Sequence, residues 1–235
     1  MTLTTWLVTG TSRGIGLEIV SQLVADPANI VIATCRNPAG ATALSSLQDT
    51  AKGVLYILPL DVASEASIRA SVSPVAAILG DRGLDYLYNN AAVTEGDDSA
   101  FDFSVDGFSQ SLQVNVVAPA LLGQLYLPFI EKSSRKVIVN ITSGLASIGL
   151  DFGAKNATYS VSKTALNMLT YKQARARPDI TSICIDPGWV KTDMGGPNAA
   201  TETHDSVSAV LRLVTSVSPK DSGKFFRHDG EIIVW

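Results

Sequence analysis

The chain has 235 residues but only two cysteines and two histidines. Cys35 and Cys184 fall in apolar runs that read as buried strands, so they are expected as reduced core thiols, and neither a disulfide framework nor a metal cluster is expected. His204 and His228 have no ligand-like spacing and are expected at the surface. Basic charge is also scarce, with 18 Lys and Arg against 22 Asp and Glu, a net charge of -4 and a pI near 5.1. The basic residues form no runs, which argues against a nucleic-acid partner. No run reaches the roughly 18 apolar residues of a membrane span, and MTLTTWLVTG lacks the basic and long apolar regions of a signal peptide. The expectation is therefore no membrane association and a cytoplasmic location.

What the chain does have is alternation. Short Val- and Ile-rich runs, WLVTG, ANIVIATC, GVLYILPLDV, GLDYLYNNA, RKVIVNITS, DITSICIDPG and GEIIVW, are separated by amphipathic stretches such as GLEIVSQLVAD and TYSVSKTALNMLTYKQARA. Continuous apolar runs suit strands covered on both faces, as in a parallel sheet. The reading is α/β: one Rossmann-type domain over 1–235, a doubly wound sheet of seven parallel strands with helices on both faces. The least regular stretch, near 189–205, is polar and follows the sixth strand. It reads as a substrate loop, either a mobile lid or ordinary surface.

TGTSRGIG, Thr9 to Gly16, follows the first strand and opens the first helix. Gly10, Gly14 and Gly16 permit close backbone approach, and a helix N-terminus offers unpaired N–H groups to a pyrophosphate. Ser12, Arg13 and Ile15 belong to the same turn. A NAD site places a carboxylate near the end of the second strand to hold ribose hydroxyls, but this strand ends Cys35-Arg36. Arg36 and Arg13 instead suit a 2′-phosphate, which favours NADP(H) over NAD(H). Further along, Tyr159 and Lys163 of YSVSK lie four residues apart, which puts phenol and ammonium on one helical face as a candidate acid/base pair.

TGTSRGIG, Asp61-Val62, NNAA, Asn115, Ser143, YSVSK and PGWVKT occur in one order along essentially the whole chain. In this the sequence resembles the short-chain dehydrogenase/reductase family, and the RNP, PGWVKTDMGG and GKFFRHDGEIIVW segments are similar to its C-factor and sniffer-like carbonyl reductases. The resemblance implies that Tyr159 donates a proton to a substrate carbonyl and Lys163 lowers the phenol's pKa while holding the nicotinamide ribose. It implies that Ser143 hydrogen-bonds the carbonyl oxygen and Asn115 supports a water that links Lys163 to solvent. It places Asp61 and Val62 against the adenine and Asn89 beside the dinucleotide. Pro187, Gly188, Val190 and Thr192 would border the nicotinamide. Leu145, Phe152, Trp189 and Met194 would give the substrate an apolar wall.

The implied function is NADPH-dependent reduction of a ketone or aldehyde of an apolar small molecule, its partners being that carbonyl or the alcohol and, as homodimer or homotetramer, further copies of the chain. Two other readings stay open: a cyclase or other non-redox enzyme using the same pocket, and a dinucleotide-binding sensor without catalysis. Ser143 also suits a turn cap, and Asn115 a packing residue. NNAA places Ala92 where the family usually has glycine, and the longer segment between Ser143 and Tyr159, around LDFGAKNA, is expected to reshape the substrate side.

Overall fold

The structure is a computed structural model that describes residues 3–235. Seven strands form one parallel sheet, as expected: β1 (Thr4–Thr9), β2 (Asn29–Cys35), β3 (Val54–Pro59), β4 (Tyr86–Asn89), β5 (Val137–Ile141), β6 (Thr181–Asp186) and β7 (Phe225–Arg227). Their order across the sheet is β3-β2-β1-β4-β5-β6-β7. The helices are α1 (Gly14–Val24), α2 (Thr42–Ser46), α3 (Glu65–Ala70), α4 (Val72–Leu79), α5 (Val105–Leu112), α6 (Ala118–Lys132), α7 (Ala157–Ala176) and α8 (Thr203–Ser216).

Side chains alternate across a strand, so β1 serves both layers of core at once. Trp6 and Val8 point to one face, where they pack with Ile19, Val20 and Leu23 of α1 and Val207, Val210 and Val214 of α8. Leu7 points to the other, with Ile68 of α3, Val75 and Leu79 of α4 and Leu122, Tyr126 and Ile130 of α6. Ile138 of β5 joins that second layer, and two residues on, Asn140 donates to Thr170 Oγ1 of α7 at 2.9 Å, which seats α7 on the same face as α6. Cys35 and Cys184 are buried free thiols, as their strand positions predict.

Strand order reverses between β1 and β4, and the crossovers leave these two strands toward opposite ends of the sheet. A crevice therefore opens at their carboxyl ends. Asn90, just past β4, closes its inner wall: its Nδ2 donates to Thr9 O at 2.9 Å and Gly10 O at 3.2 Å, and Thr9 Oγ1 accepts from Asn90 N at 3.0 Å. The approach is close enough that a Cβ on Gly16 would lie 2.2 Å from Gly10 O, and one on Gly10 would lie 2.8 Å from Ala91 Cα. Only glycine fits at either place, and Gly10 also has φ +71°.

Two features of the long helical stretch and one bound of the loop after β6 go beyond the sequence reading or correct it. The stretch from Val105 to Lys132 is a 28-residue helical run, long and apolar enough by length and composition alone to cross a membrane, although its sequence shows no unbroken apolar run. Here its apolar face covers the sheet through Leu122, Tyr126 and Ile130. It is also interrupted: Gln113–Val117 form a π-helical turn. The loop after β6 ends earlier than 205, because α8 begins at Thr203. That loop is folded back on itself, with Lys191 N donating to Thr201 O at 2.9 Å and Thr201 N to Trp189 O at 3.0 Å.

Candidate functional site

A cleft of about 830 Å³ runs along the carboxyl edge of the sheet. Its walls bring together nearly all the residues singled out from sequence: Gly10, Ser12, Arg13, Gly14, Ile15 and Gly16 from the first turn, Arg36 after β2, and Asp61 and Val62 after β3. Ser143, Tyr159 and Lys163 line its middle. Pro187, Gly188, Val190 and Thr192 lie along the far side, with Leu145, Phe152, Trp189 and Met194 toward the mouth. Two do not belong to the walls. Asn89 is buried at the end of β4 and donates to Asn140 Oδ1 at 2.8 Å, because strand alternation turns it into the helix layer and presents Asn90 to the cleft.

Asn115 is the second. It is fully buried within the π-helical turn, where its Oδ1 accepts from Val93 N at 2.9 Å and its Nδ2 donates to Val93 O and to Ser162 Oγ, each at 2.9 Å. Ser162 Oγ in turn donates to Tyr159 O at 2.7 Å. The widened turn thus clamps the segment after β4 to the first turns of α7. Asn115 reaches the acid/base pair only through Ser162.

α7 starts without a side-chain cap of its own, its preceding residue Asn156 being left-handed at φ 57°. Asp98 supplies the missing acceptor from another loop: Thr158 N donates to both its carboxylate oxygens at 3.3 Å and Thr158 Oγ1 bonds the same carboxylate. Asn156 Nδ2 donates to Gly96 O at 2.7 Å. These contacts fix the residue next to Tyr159, and none was legible in the sequence, since the loop and the helix are far apart along the chain.

Lys163 is 1 % exposed, and its ammonium donates to Ile141 O at 2.8 Å. One carbonyl is thin compensation for a buried cation, and burial pushes the amine down to about 7. Its Nζ lies 5.6 Å from the Tyr159 ring centroid. The expected lowering of the phenol does not occur in the chain by itself: burial, and then the charge of Asp186, raise Tyr159 above its ordinary value. Asp186 is itself raised by burial, offset in part by backbone N–H groups of Gly188 and Gly144. Tyr159 is therefore held as the neutral phenol, a proton donor. Ser143 lines the same cleft at the start of a short 3₁₀ turn, its Oγ accepting from Leu145 N at 3.2 Å.

At the other end of the cleft the first turn of α1 carries no acidic residue and no side-chain cap, so its N–H groups face an opening suited to an anion. Arg13 pairs with Asp193 at 3.1 Å, with both side chains more than 70 % exposed, a contact weak enough to be exchanged for a ligand. Thr192 lies against the same turn: a Cβ on Gly14 would be 3.3 Å from its Cγ2. Its hydroxyl accepts from Gly195 N at 3.1 Å. Asp61 Oδ1 accepts from Ala63 N at 3.0 Å, the turn role that its position after β3 also allows.

Sequence reading missed Asn90 and Asp186. The first was one letter away in NNAA. The second stands before Pro187-Gly188, where a carboxylate ending an apolar strand is itself a signal. His228 is not a surface residue: it is half-buried, its ring 3.2 Å from where a Gly188 Cβ would be and its Nδ1 buried without a partner among the described residues.

The short-chain dehydrogenase family model matches residues 4–203, and the chain belongs to this family of oxidoreductases. Among solved structures, an NADPH-bound carbonyl reductase from chicken fatty liver superposes with TM-score 0.93 at 35 % identity over 100 % of both chains. The carbonyl reductase Sniffer of D. melanogaster does so with TM-score 0.94 at 29 % identity, covering 99 % of this chain and 100 % of that one. Norsolorinic acid ketoreductase of Aspergillus parasiticus is 31 % identical over 99 % of this chain and 91 % of its own length.

The state of Lys163 is testable without any ligand. Its folded pKa near 7 lies below its unfolded value, so between pH 7 and about 10 the unfolded chain binds a proton that the folded chain does not. Stability then rises with pH in that window and is at its lowest below it. Urea unfolding of wild type and Lys163→Met should diverge in favour of wild type as pH rises from 7 to 10, by up to about 1.4 kcal/mol per pH unit. A constant difference would mean that the ammonium stays charged throughout.

Proposed function

We propose that the chain is an NADPH-dependent carbonyl reductase acting on a ketone or aldehyde of an apolar small molecule. The observation that carries this reading is the convergence, in one cleft, of a protonated phenol, a serine hydroxyl and an uncapped helix N-terminus flanked by two arginines.

Gly10, Ser12, Ile15 and Gly16 with the N-terminus of α1 would hold the pyrophosphate. The close packing that admits no Cβ at Gly10 or Gly16 keeps this part of the cleft open to backbone contact. Arg13 and Arg36 would hold the 2′-phosphate, since both line that end and no carboxylate stands at the end of β2 to take ribose hydroxyls. Asp61 and Val62 would border the adenine. Pro187, Gly188, Val190 and Thr192 would border the nicotinamide, and Lys163 would bond its ribose. When bound, NADPH supplies the hydride.

The chain's own contribution is positioning and protonation. Ser143 Oγ donates to the carbonyl oxygen and stabilises the negative charge that develops on it. Tyr159 gives that oxygen its proton, and the raised pKa imposed by burial and Asp186 keeps the proton in place until then. Once the phenol is ionised, its negative charge favours the protonated form of Lys163 one helical turn away, and that ammonium stabilises the phenolate. Asn115 acts through Ser162 and the backbone of Val93 to hold the first turns of α7 in register. Leu145, Phe152, Trp189 and Met194 exclude water from the carbonyl face. Exposed Val105, Val117, Val161 and Met168 on the α5 to α7 surface support a homodimer or homotetramer.

Tyr159→Phe should lower kcat/KM for carbonyl reduction by about 10²- to 10⁴-fold while NADPH still binds, measured by nucleotide oxidation and by direct titration. Full retention of reduction would remove Tyr159 as the donor. Arg36→Asp should weaken NADPH by roughly 10- to 100-fold and NADH much less, as judged by fluorescence titration. Equal weakening of both would place the 2′-phosphate elsewhere.

A further inference from the structure

We propose that Asp186 and Phe152 form a subsite selecting aryl ketones that carry a hydroxyl group, the ring resting on Phe152 and the hydroxyl donating to the Asp186 carboxylate; this rests on the carbonyl-reductase reading. Four carboxylates line the cleft. Asp97 pairs with Lys155 at 3.6 Å, Asp193 with Arg13 at 3.1 Å, and Asp61 closes its own turn by accepting from Ala63 N. Asp186 has no cation within ion-pair distance among the described residues. Its Oδ1 accepts from Gly188 N at 3.0 Å at the end of β6, and Arg227 and His228 act on it only through space, without a direct hydrogen bond.

Phe152 comes from the long segment between Ser143 and Tyr159, and it meets Asp186 over Gly144. A Cβ at Gly144 would stand 3.2 Å from Asp186 Oδ2 and 3.1 Å from Phe152 Cε2, so carboxylate oxygen and ring edge flank one point of backbone. That point directly follows Ser143. Phe152 is 60 % exposed, which leaves most of its ring free to be covered. A half-buried acceptor with spare lone pairs, beside an uncovered aromatic ring and one residue from the carbonyl-binding serine, matches a donor attached to an aromatic ketone. An ether oxygen in the hydroxyl's place would face the carboxylate with no proton to offer, and sites built to bond a hydroxyl discriminate strongly against such analogues.

The test uses 3′-hydroxyacetophenone and 3′-methoxyacetophenone on the full chain, with two readouts: kcat/KM with NADPH, and Kd from quenching of tryptophan fluorescence, Trp189 being in the cleft wall. Wild type should prefer the hydroxy ketone by about tenfold or more in both. In Asp186→Ala the ratio should fall to near one, and in Asp186→Asn, which keeps an acceptor for the hydroxyl, it should be intermediate. Phe152→Ala should raise Kd for both ketones alike. A wild-type ratio near one, or a ratio unchanged in Asp186→Ala, overturns the subsite. If both ketones are reduced without preference, the subsite fails and the reductase reading stands. If the binding preference is present and follows Asp186 but neither ketone is reduced, the reductase reading fails and the donor-selective site stands.

Discussion

A lysine ammonium buried at the carboxyl edge of a parallel sheet is the constraint around which the rest of the site is arranged. Lys163 reaches Ile141 O across the β5–α7 interface, and a buried ammonium is costly unless hydrogen-bonded, so α7 has to hold it in register with that carbonyl. α7 is accordingly held from several sides: by Thr170 and Gln173 on Asn140, by Ser162 on Asn115, and by Thr158 on Asp98. The contacts at Thr158 and Ser162 also restrict Tyr159, which lies within one turn of both. The fold fixes its acid by fixing the cation behind it.

The two members of this pair are pushed in opposite directions by the same burial. Desolvation disfavours the charged form of each, so the phenol keeps its proton and the amine tends to lose one. Asp186 adds a like-signed penalty on the phenolate. In the proposed reduction, such a site gives a proton to an oxygen that becomes negative. Asp186 thereby connects the chemistry to the far wall of the cleft, where Gly188 and the loop after β6 begin.

The sheet was legible because apolar strands covered on both faces leave a continuous pattern, and seven such runs are present. The glycine turn and the Tyr159–Lys163 spacing were legible from their offsets to a strand end and along one helix face, whereas Ser143's role and the apolar mouth came from the resemblance to the family. What the sequence could not display were contacts between distant segments. Asp98 capping α7, Asn90 bracing the first turn, and Asp186 facing the acid/base pair all depend on tertiary approach. Asn89 was misplaced by one position of strand alternation, and the direction of the Tyr159 shift by reading charge proximity without burial. The widened, π-helical turn at Asn115 leaves no periodic trace over five residues.

In the proposed reaction this cleft delivers a hydride and a proton across a substrate carbonyl. The most direct measurement is mass spectrometry of the product formed from an aryl ketone with NADPH deuterated at both C4 positions. One deuterium on the carbinol carbon, with the hydroxyl proton drawn from solvent, is the predicted result. A product formed without label at that carbon would contradict it.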